Sequence, residues 1–201
     1  MVMNRTNRFN NPKSKIQNRT MAEFIYVDNS NVFIEGKRIA AIRDGAAKSV
    51  AHANRAGIQD NSFRLDFGAL YDFVAENNPG KIARAVLFGS SPPESDAVWS
   101  VAERAGFEAV VIDRNAENRE KKIDTGIVAA MVRDAYTRAD RAKDTITLVA
   151  GDSDYVPAVE LLIDDGFRVE VVFWRSVSSE LKAACSRFIE LDAHLDALEY
   201  Q

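Results

Sequence analysis

One cysteine, Cys185, and two histidines, His52 and His194, are all that 201 residues offer in soft or imidazole ligands. A single thiol cannot make an internal disulfide, and so sparse a set argues against a Cys/His zinc centre. No apolar run approaches the ~18 residues that would cross a bilayer, and the N-terminus lacks the apolar stretch of a secretory signal. A cytoplasmic protein with no membrane partner is the expectation. Three motifs are also missing. There is no Gly-rich loop ending in Lys-Ser/Thr for a P-loop nucleotide, and no Gly-x-Gly-x-x-Gly after the first apolar run for a dinucleotide cofactor. Nor is there a Gly-x-Ser-x-Gly elbow for acyl transfer.

What is present suits one globular domain. The apolar fraction of 46% and charged fraction of 28% are ordinary for such a protein, and two full domains would be cramped in 201 residues. The formal charge of −4 does not itself favour a nucleic acid partner. It conceals an asymmetry, however. Arg5, Arg8, Lys13, Lys15 and Arg19 lie in the first 20 residues with no acid among them, so the remainder carries a formal −9. Residues 1–21 read as a basic, disordered tail and 22–201 as a single domain. The tail is either an upstream extension, since Met21 could itself be a start, or a basic arm that meets phosphates.

From Phe24 onward, short β-branched runs alternate with helical patterns. The spacing predicts strands at 24–28, 84–89, 108–112, 145–150 and 168–173, with a short final strand near Phe188–Leu191 before a last helix. Helices are expected over 44–56, 66–77, 94–105, 124–140 and 155–165. Ile127, Val128, Met131, Val132 and Ala135 lay an apolar stripe along the fourth. Such alternation calls for a mostly parallel sheet covered by helices on both faces. Gly106 and Gly166 read as helix stops, and Pro157 as a residue of a helix's first turn. The section 29–65 is the least regular and reads as a loop or lid.

Four aspartates fall where such a sheet presents its ligand-binding edge. Asp28 ends the run Phe24-Ile25-Tyr26-Val27 and precedes Asn29-Ser30-Asn31; Asp152 and Asp154 follow Ile146–Gly151; Asp124 stands at the expected start of a helix. Each has a plainer role open to it. Asp28 could cap a turn, one of Asp152 and Asp154 could cap the next helix, and Asp124 could cap its own. Taken together, acids brought within ~4–6 Å would raise one another's pKa unless a cation offset them. Hard oxygen ligands suit Mg²⁺ or Mn²⁺, which can acidify a bound water and stabilise a leaving oxygen in phosphodiester cleavage. Asn31 could orient a water or a phosphate oxygen, Ser153 could donate to phosphate, and Lys122 could neutralise charge near it. Arg114, Arg119 and Lys121 could add positive potential along a backbone. Phe88, Tyr155 and Trp174 are candidates for base stacking, or else core residues.

These same segments resemble the NYN domain family, in its LabA-like branch of the PIN-like nuclease superfamily. The likeness rests on Phe24–Asn31, on Lys121-Lys122-Ile123-Asp124, on Leu148–Pro157 and on Gly166–Val171, and it spans about 24–192. It implies a three-layer α/β/α sandwich, PIN-like and Rossmann-like, with a metal-dependent ribonuclease site. The acidic positions of that site would fall on Asp28, Asp124, Asp152 and Asp154, with Asn31 beside the first. A family serine after a late strand would fall within Ser176–Ser179, with Ser176 as the substrate-binding candidate. The expected activity is therefore cleavage of single-stranded RNA with Mg²⁺ or Mn²⁺. The alternative is a non-catalytic RNA- or protein-binding regulator that keeps the fold, and a small-molecule phosphatase is a third class. A homodimer is the base-rate expectation.

Overall fold

A computed structural model describes residues 20–76, 78–90, 97–112 and 119–201, and of 97 and 119–121 the backbone alone. Among the described residues six strands form one sheet: β1 (Glu23–Asp28), β2 (Ile82–Ser90), β3 (Glu108–Ile112), β4 (Thr145–Val149), β5 (Arg168–Phe173) and β6 (Arg187–Glu190). Their order is β3-β2-β1-β4-β5-β6, and every neighbouring pair is parallel. All six positions of β1 and all five of β4 are buried, as parallel strands covered on both faces must be. The expected fold class, a three-layer α/β/α sandwich around a parallel sheet, is what the chain adopts.

The helices are α1 (Asn29–Arg43), α2 (Val50–Ala56), α3 (Phe67–Val74), α4 (Ala97–Ala105), α5 (Arg119–Thr137), α6 (Val156–Asp164), α7 (Ser179–Ala184) and α8 (Leu195–Leu198). One face of the sheet shows Ile25, Val27 and Val149 to Val32, Ile39, Leu70, Trp99 and Leu198. The other shows Tyr26, Phe88 and Leu148 to Ile127, Met131, Val159 and Leu181. The alternation along β1 thus splits the core into two layers. On the second face lies a buried polar chain. Tyr26 Oη donates to Asp134 Oδ2 at 2.8 Å, and Arg84 bridges the same carboxylate at 2.5 Å to Glu108. Burial alone would raise the pKa of Asp134, but Arg84 and Tyr26 hold it below the usual value.

The strands match the expected positions closely; the segment after β1 does not. In place of a loop or lid, α1 starts directly at Asn29, with Asp28 as its N-cap. Its buried stripe is Val32, Gly36, Ile39 and Ala40, a helical spacing with glycine at its centre. A Cβ on Gly36 would stand 2.7 Å from Phe63 and 3.1 Å from Trp174, so two rings occupy the room a side chain would need. A core position filled from the partner side carries no hydropathy signal of its own. The helix expected over 44–56 is shorter, because 44–49 turns before Ser49 caps α2. Gly106 and Gly166 end their helices at φ +116° and +83°, as the sequence suggested. Except for Thr20 and Met21, the basic tail lies outside the described residues.

Candidate active site

Strand order reverses direction between β1 and β4, which run side by side with β2 and β5 on their outer flanks. At such a switch point the loops leaving the two strands diverge and open a crevice at the strands' C-terminal ends. Asp28 closes β1 and Asp152 follows β4, so both stand at this opening.

Asp28 is 3% exposed. Its Oδ1 accepts from Ser30 Oγ at 2.9 Å and from the Asn31 backbone N–H at 3.1 Å. Its Oδ2 accepts from Tyr155 Oη at 2.9 Å. The capping role is thus real, and the carboxylate is also tied to the loop after β4. Tyr155 is fully buried, so it offers no ring face to a base; Phe88 and Trp174 are buried as well. Its hydroxyl reaches Asp124 Oδ1 at 3.1 Å, which makes it a bridge between two acids. Burial first, and then Asp28 and Asp124, push its phenol far above the ordinary value, so it stays a donor.

Asp124 is not a helix cap. α5 begins at Arg119, upstream of the expected start, so Asp124 lies inside the helix with a half-buried side chain. Burial raises its pKa; the Tyr155 hydroxyl opposes this, and Asp28, Asp152 and Asp154 add to it. Asp152 and Asp154 likewise make no side-chain cap: neither the short turn Ser153–Tyr155 nor α6 has one. Asp152 is held instead by Asn31, whose Nδ2 donates to its Oδ2 at 2.8 Å. The Asn31 Oδ1 accepts from the Gly151 backbone N–H, also at 2.8 Å. Both ends of the Asn31 amide are therefore used in joining α1 to the β4 loop. Although Asp152 is exposed as a residue, protein packed about its carboxyl raises its pKa. Asn31 opposes that shift, and Asp28, Asp154 and Glu35 add to it.

Glu35 is the acid that sequence reasoning missed. It sits on α1 one turn beyond Asn31, within a stretch expected to be irregular. Its Oε1 accepts from Arg38, while Oε2 is buried with no partner among the described residues. An i, i+4 relation to Asn31 could have singled it out had the helix been recognised. Gly151 permits the close packing of the loop, since a Cβ there would lie 2.1 Å from the Phe173 ring.

The other expected site residues divide. Ser153, Asp154 and Lys122 are exposed around the crevice's elements. Ser176 Oγ is buried and unpaired among the described residues, in a turn tied to the β4 loop by Ser178 N–H donating to the Gly151 carbonyl at 2.8 Å. Arg114 lies outside the described residues, and so do the side chains of Arg119 and Lys121. Beside Asn29 and Ser30 opens a cavity of about 340 Å³, lined by Phe33, Phe67 and Trp99 among others.

Among the described residues, no three acid, imidazole or thiol groups come together as a set able to hold a metal ion. The donors present are all carboxylates, and two have pKa values raised in part by their neighbours' charge. That chemistry suits a hard cation such as Mg²⁺, which usually takes one or two protein carboxylates and keeps several waters.

A family model described as NYN domain matches residues 25–192. Among solved structures, a protein of unknown function from Vibrio parahaemolyticus is similar, with a TM-score of 0.63 and 18% identity over 92% of this chain and 99% of that one. At that identity the likeness concerns the fold. No curated protein matches.

Proposed function

Because this chain belongs to the NYN domain family, of the PIN-like superfamily, we propose that it is a Mg²⁺- or Mn²⁺-dependent ribonuclease acting on single-stranded RNA. The observation that carries the reading is the hydrogen-bonded set at the switch point. Tyr155 joins Asp28 to Asp124, and Asn31 joins α1 to Asp152. The motifs at Phe24–Asn31 and Leu148–Pro157 support the LabA-like branch.

In this reading each residue has a separable task. Asp28, with both oxygens bonded, anchors the crevice and fixes Tyr155. Asn31 sets the rotamer of Asp152 through Oδ2, leaving Oδ1 without a protein donor among the described residues. Asp152 accepts the proton of the attacking water at Oδ1 as the water oxygen bonds to phosphorus and the P–O bond to the leaving ribose breaks. Without a cation, burial and the neighbouring acids raise its pKa, so it takes up a proton more readily than an ordinary surface aspartate. The leaving oxygen takes its proton from solvent. Ser153 and Lys122 meet the phosphate oxygens, the buried Ser176 Oγ joins them only if its turn opens, and the apolar cavity beside Ser30 receives a neighbouring base. A bound cation, held by one or two of Asp124, Asp152 and Asp154 with waters filling its other positions and Asp28 behind them, would supply charge neutralisation and Lewis acidity.

The test is cleavage of labelled single-stranded RNA with Mn²⁺ by the wild type, Asp152→Asn and Asp28→Asn. A loss of roughly 100-fold or more is expected for Asp152→Asn. Equal cleavage by all three proteins sinks the site assignment, and absence of Mn²⁺ binding by calorimetry sinks the cation.

A second reading is favoured by Asp28, whose oxygens are already satisfied within the fold. In it the chain binds RNA or a protein without cleaving, and its acids serve architecture. RNA retention without turnover, unchanged by Asp152→Asn, would select that reading.

A further inference from the structure

The sheet face that carries Ile25 and Val27 changes character toward the N-terminal ends of the strands. The alternation there places Glu23 of β1, Thr147 of β4, Glu170 of β5 and Arg187 of β6 on that face. Thr147, Glu170 and Arg187 lie in register across three adjacent strands. With Phe73, Val172 and Ile189 they line a cavity of about 500 Å³, at the far end of the strands from Asp28. That volume lies within the ~300–1,000 Å³ common for small-molecule sites.

Two of the lining carboxylates are 7% exposed, Glu23 and Glu170, and they differ in how they are satisfied. Glu170 accepts from Arg168 at 2.6 and 3.0 Å and has Arg187 at 3.8 Å. At the rim, Glu76 is within 3.7 Å of Lys81 and 3.9 Å of Arg187. These basic groups are therefore already engaged. Among the described residues, the Glu23 side chain has neither a hydrogen bond nor an ion pair. Burial, then Glu76 and Glu170, raise its pKa against the weaker pull of Lys81 and Arg168. The Glu23 carboxylate, on a residue 7% exposed, thus faces the cavity with no protein cation of its own, and an arriving positive charge would offset the cost of that partial burial.

The remaining walls decide what kind of cation. Val172 and Ile189 are aliphatic, and the Phe73 ring, 4.7 Å from that of His194, adds an aromatic face. Carboxylate, ring and hydrocarbon together suit an ammonium group on a short alkyl body. A metal ion would demand more donors, and no group of three acids able to hold one occurs among the described residues.

We propose that this cavity binds a small primary alkylamine, its ammonium group against Glu23 and its chain along Val172 and Ile189. The site is separate from the aspartate crevice and does not depend on the nuclease reading.

The probes are n-butylammonium, n-butanol and butyrate, which match in length and differ in charge. They are titrated into the full chain at fixed ionic strength and pH 7.5, with melting temperature and calorimetry as readouts. A saturable rise in melting temperature is expected with n-butylammonium alone. Glu23→Gln should weaken binding at least tenfold, Glu23→Asp should fall between, and Asp28→Asn should bind as the wild type does. The proposal is overturned by no saturable response, by an equal response to n-butanol, or by wild-type affinity in Glu23→Gln. Loss of binding in Asp28→Asn would also overturn it, by assigning the amine to the crevice.

Discussion

Replacing Tyr155 with Phe removes one oxygen and tests whether the aspartates are organised by it. The hydroxyl donates to Asp28 Oδ2 at 2.9 Å and reaches Asp124 Oδ1 at 3.1 Å. It has one proton, so a single charged hydrogen bond is counted in full, a net of about 1.5–3 kcal/mol. The loss leaves Oδ2 of a 3% exposed carboxylate without its donor, and the ring otherwise keeps its packing. A destabilisation of about 2–3 kcal/mol follows, equivalent to a fall in Tm of roughly 5–10 °C for a domain of this size. The control is Tyr136→Phe. That hydroxyl also bonds an aspartate, Asp165, but the residue is 46% exposed. Its change should stay within ~0.5 kcal/mol. Urea unfolding at pH 7 measures both, with unchanged slope as the check that only stability moved. If Tyr155→Phe costs no more than Tyr136→Phe, the hydroxyl is not what holds the two acids together.

Other outcomes follow from the same geometry. Asp124 and Asp152 have native pKa values raised above the ~3.9 of an unfolded aspartate. Between those values the native state binds more protons than the unfolded one, so their contribution to stability falls as pH rises through that window. Urea midpoints without divalent cation should show this fall as a difference between wild type and Asp152→Asn, and Mn²⁺ should diminish it. Glu35→Gln removes a charge that raises the pKa of Asp152, so the acid limb of the RNA-cleavage profile should move to lower pH. Gly151→Ala sets a Cβ 2.1 Å from the Phe173 ring and should cost about 1–3 kcal/mol by overpacking, with Mn²⁺ affinity measured alongside. Asp134→Ala leaves the buried Tyr26 hydroxyl without its acceptor and Arg84 with Glu108 alone, and should cost about 1–3 kcal/mol in denaturant unfolding.

The sheet was legible because its strands are short apolar runs that stop at charged or turn residues. Glu23–Asp28 and Thr145–Val149 are fully buried, and nothing in their sequence competes with that pattern. α1 escaped notice for a local reason. Asn29-Ser30-Asn31 reads as a turn, and Gly36 removes the apolar signal from the middle of the buried stripe. That miss hid Glu35 and concealed what Asn31 does. Asp124 could not be resolved from sequence either, because its position in the helix depends on where α5 starts. Tyr155 read as either a stacking aromatic near a strand end or a core residue, and the pattern did not decide between them. Its place in the core comes from the loop folding back across β1, a long-range fact that no local pattern carries.

Strand β1 is the first of the described elements and occupies the middle of the sheet, between β2, which begins at Ile82, and β4, which begins at Thr145. During synthesis it leaves the ribosome with two bare edges of buried residues, and the second edge stays open until more than half the chain has followed. Asp28 is delivered early, but the loop bearing Asp152 and Tyr155 arrives only after β4. A message cut short before Thr145 would therefore yield no stable smaller domain, but a sticky ribbon that chaperones must hold. Shortening from the β6 end removes an outer strand and leaves the centre paired.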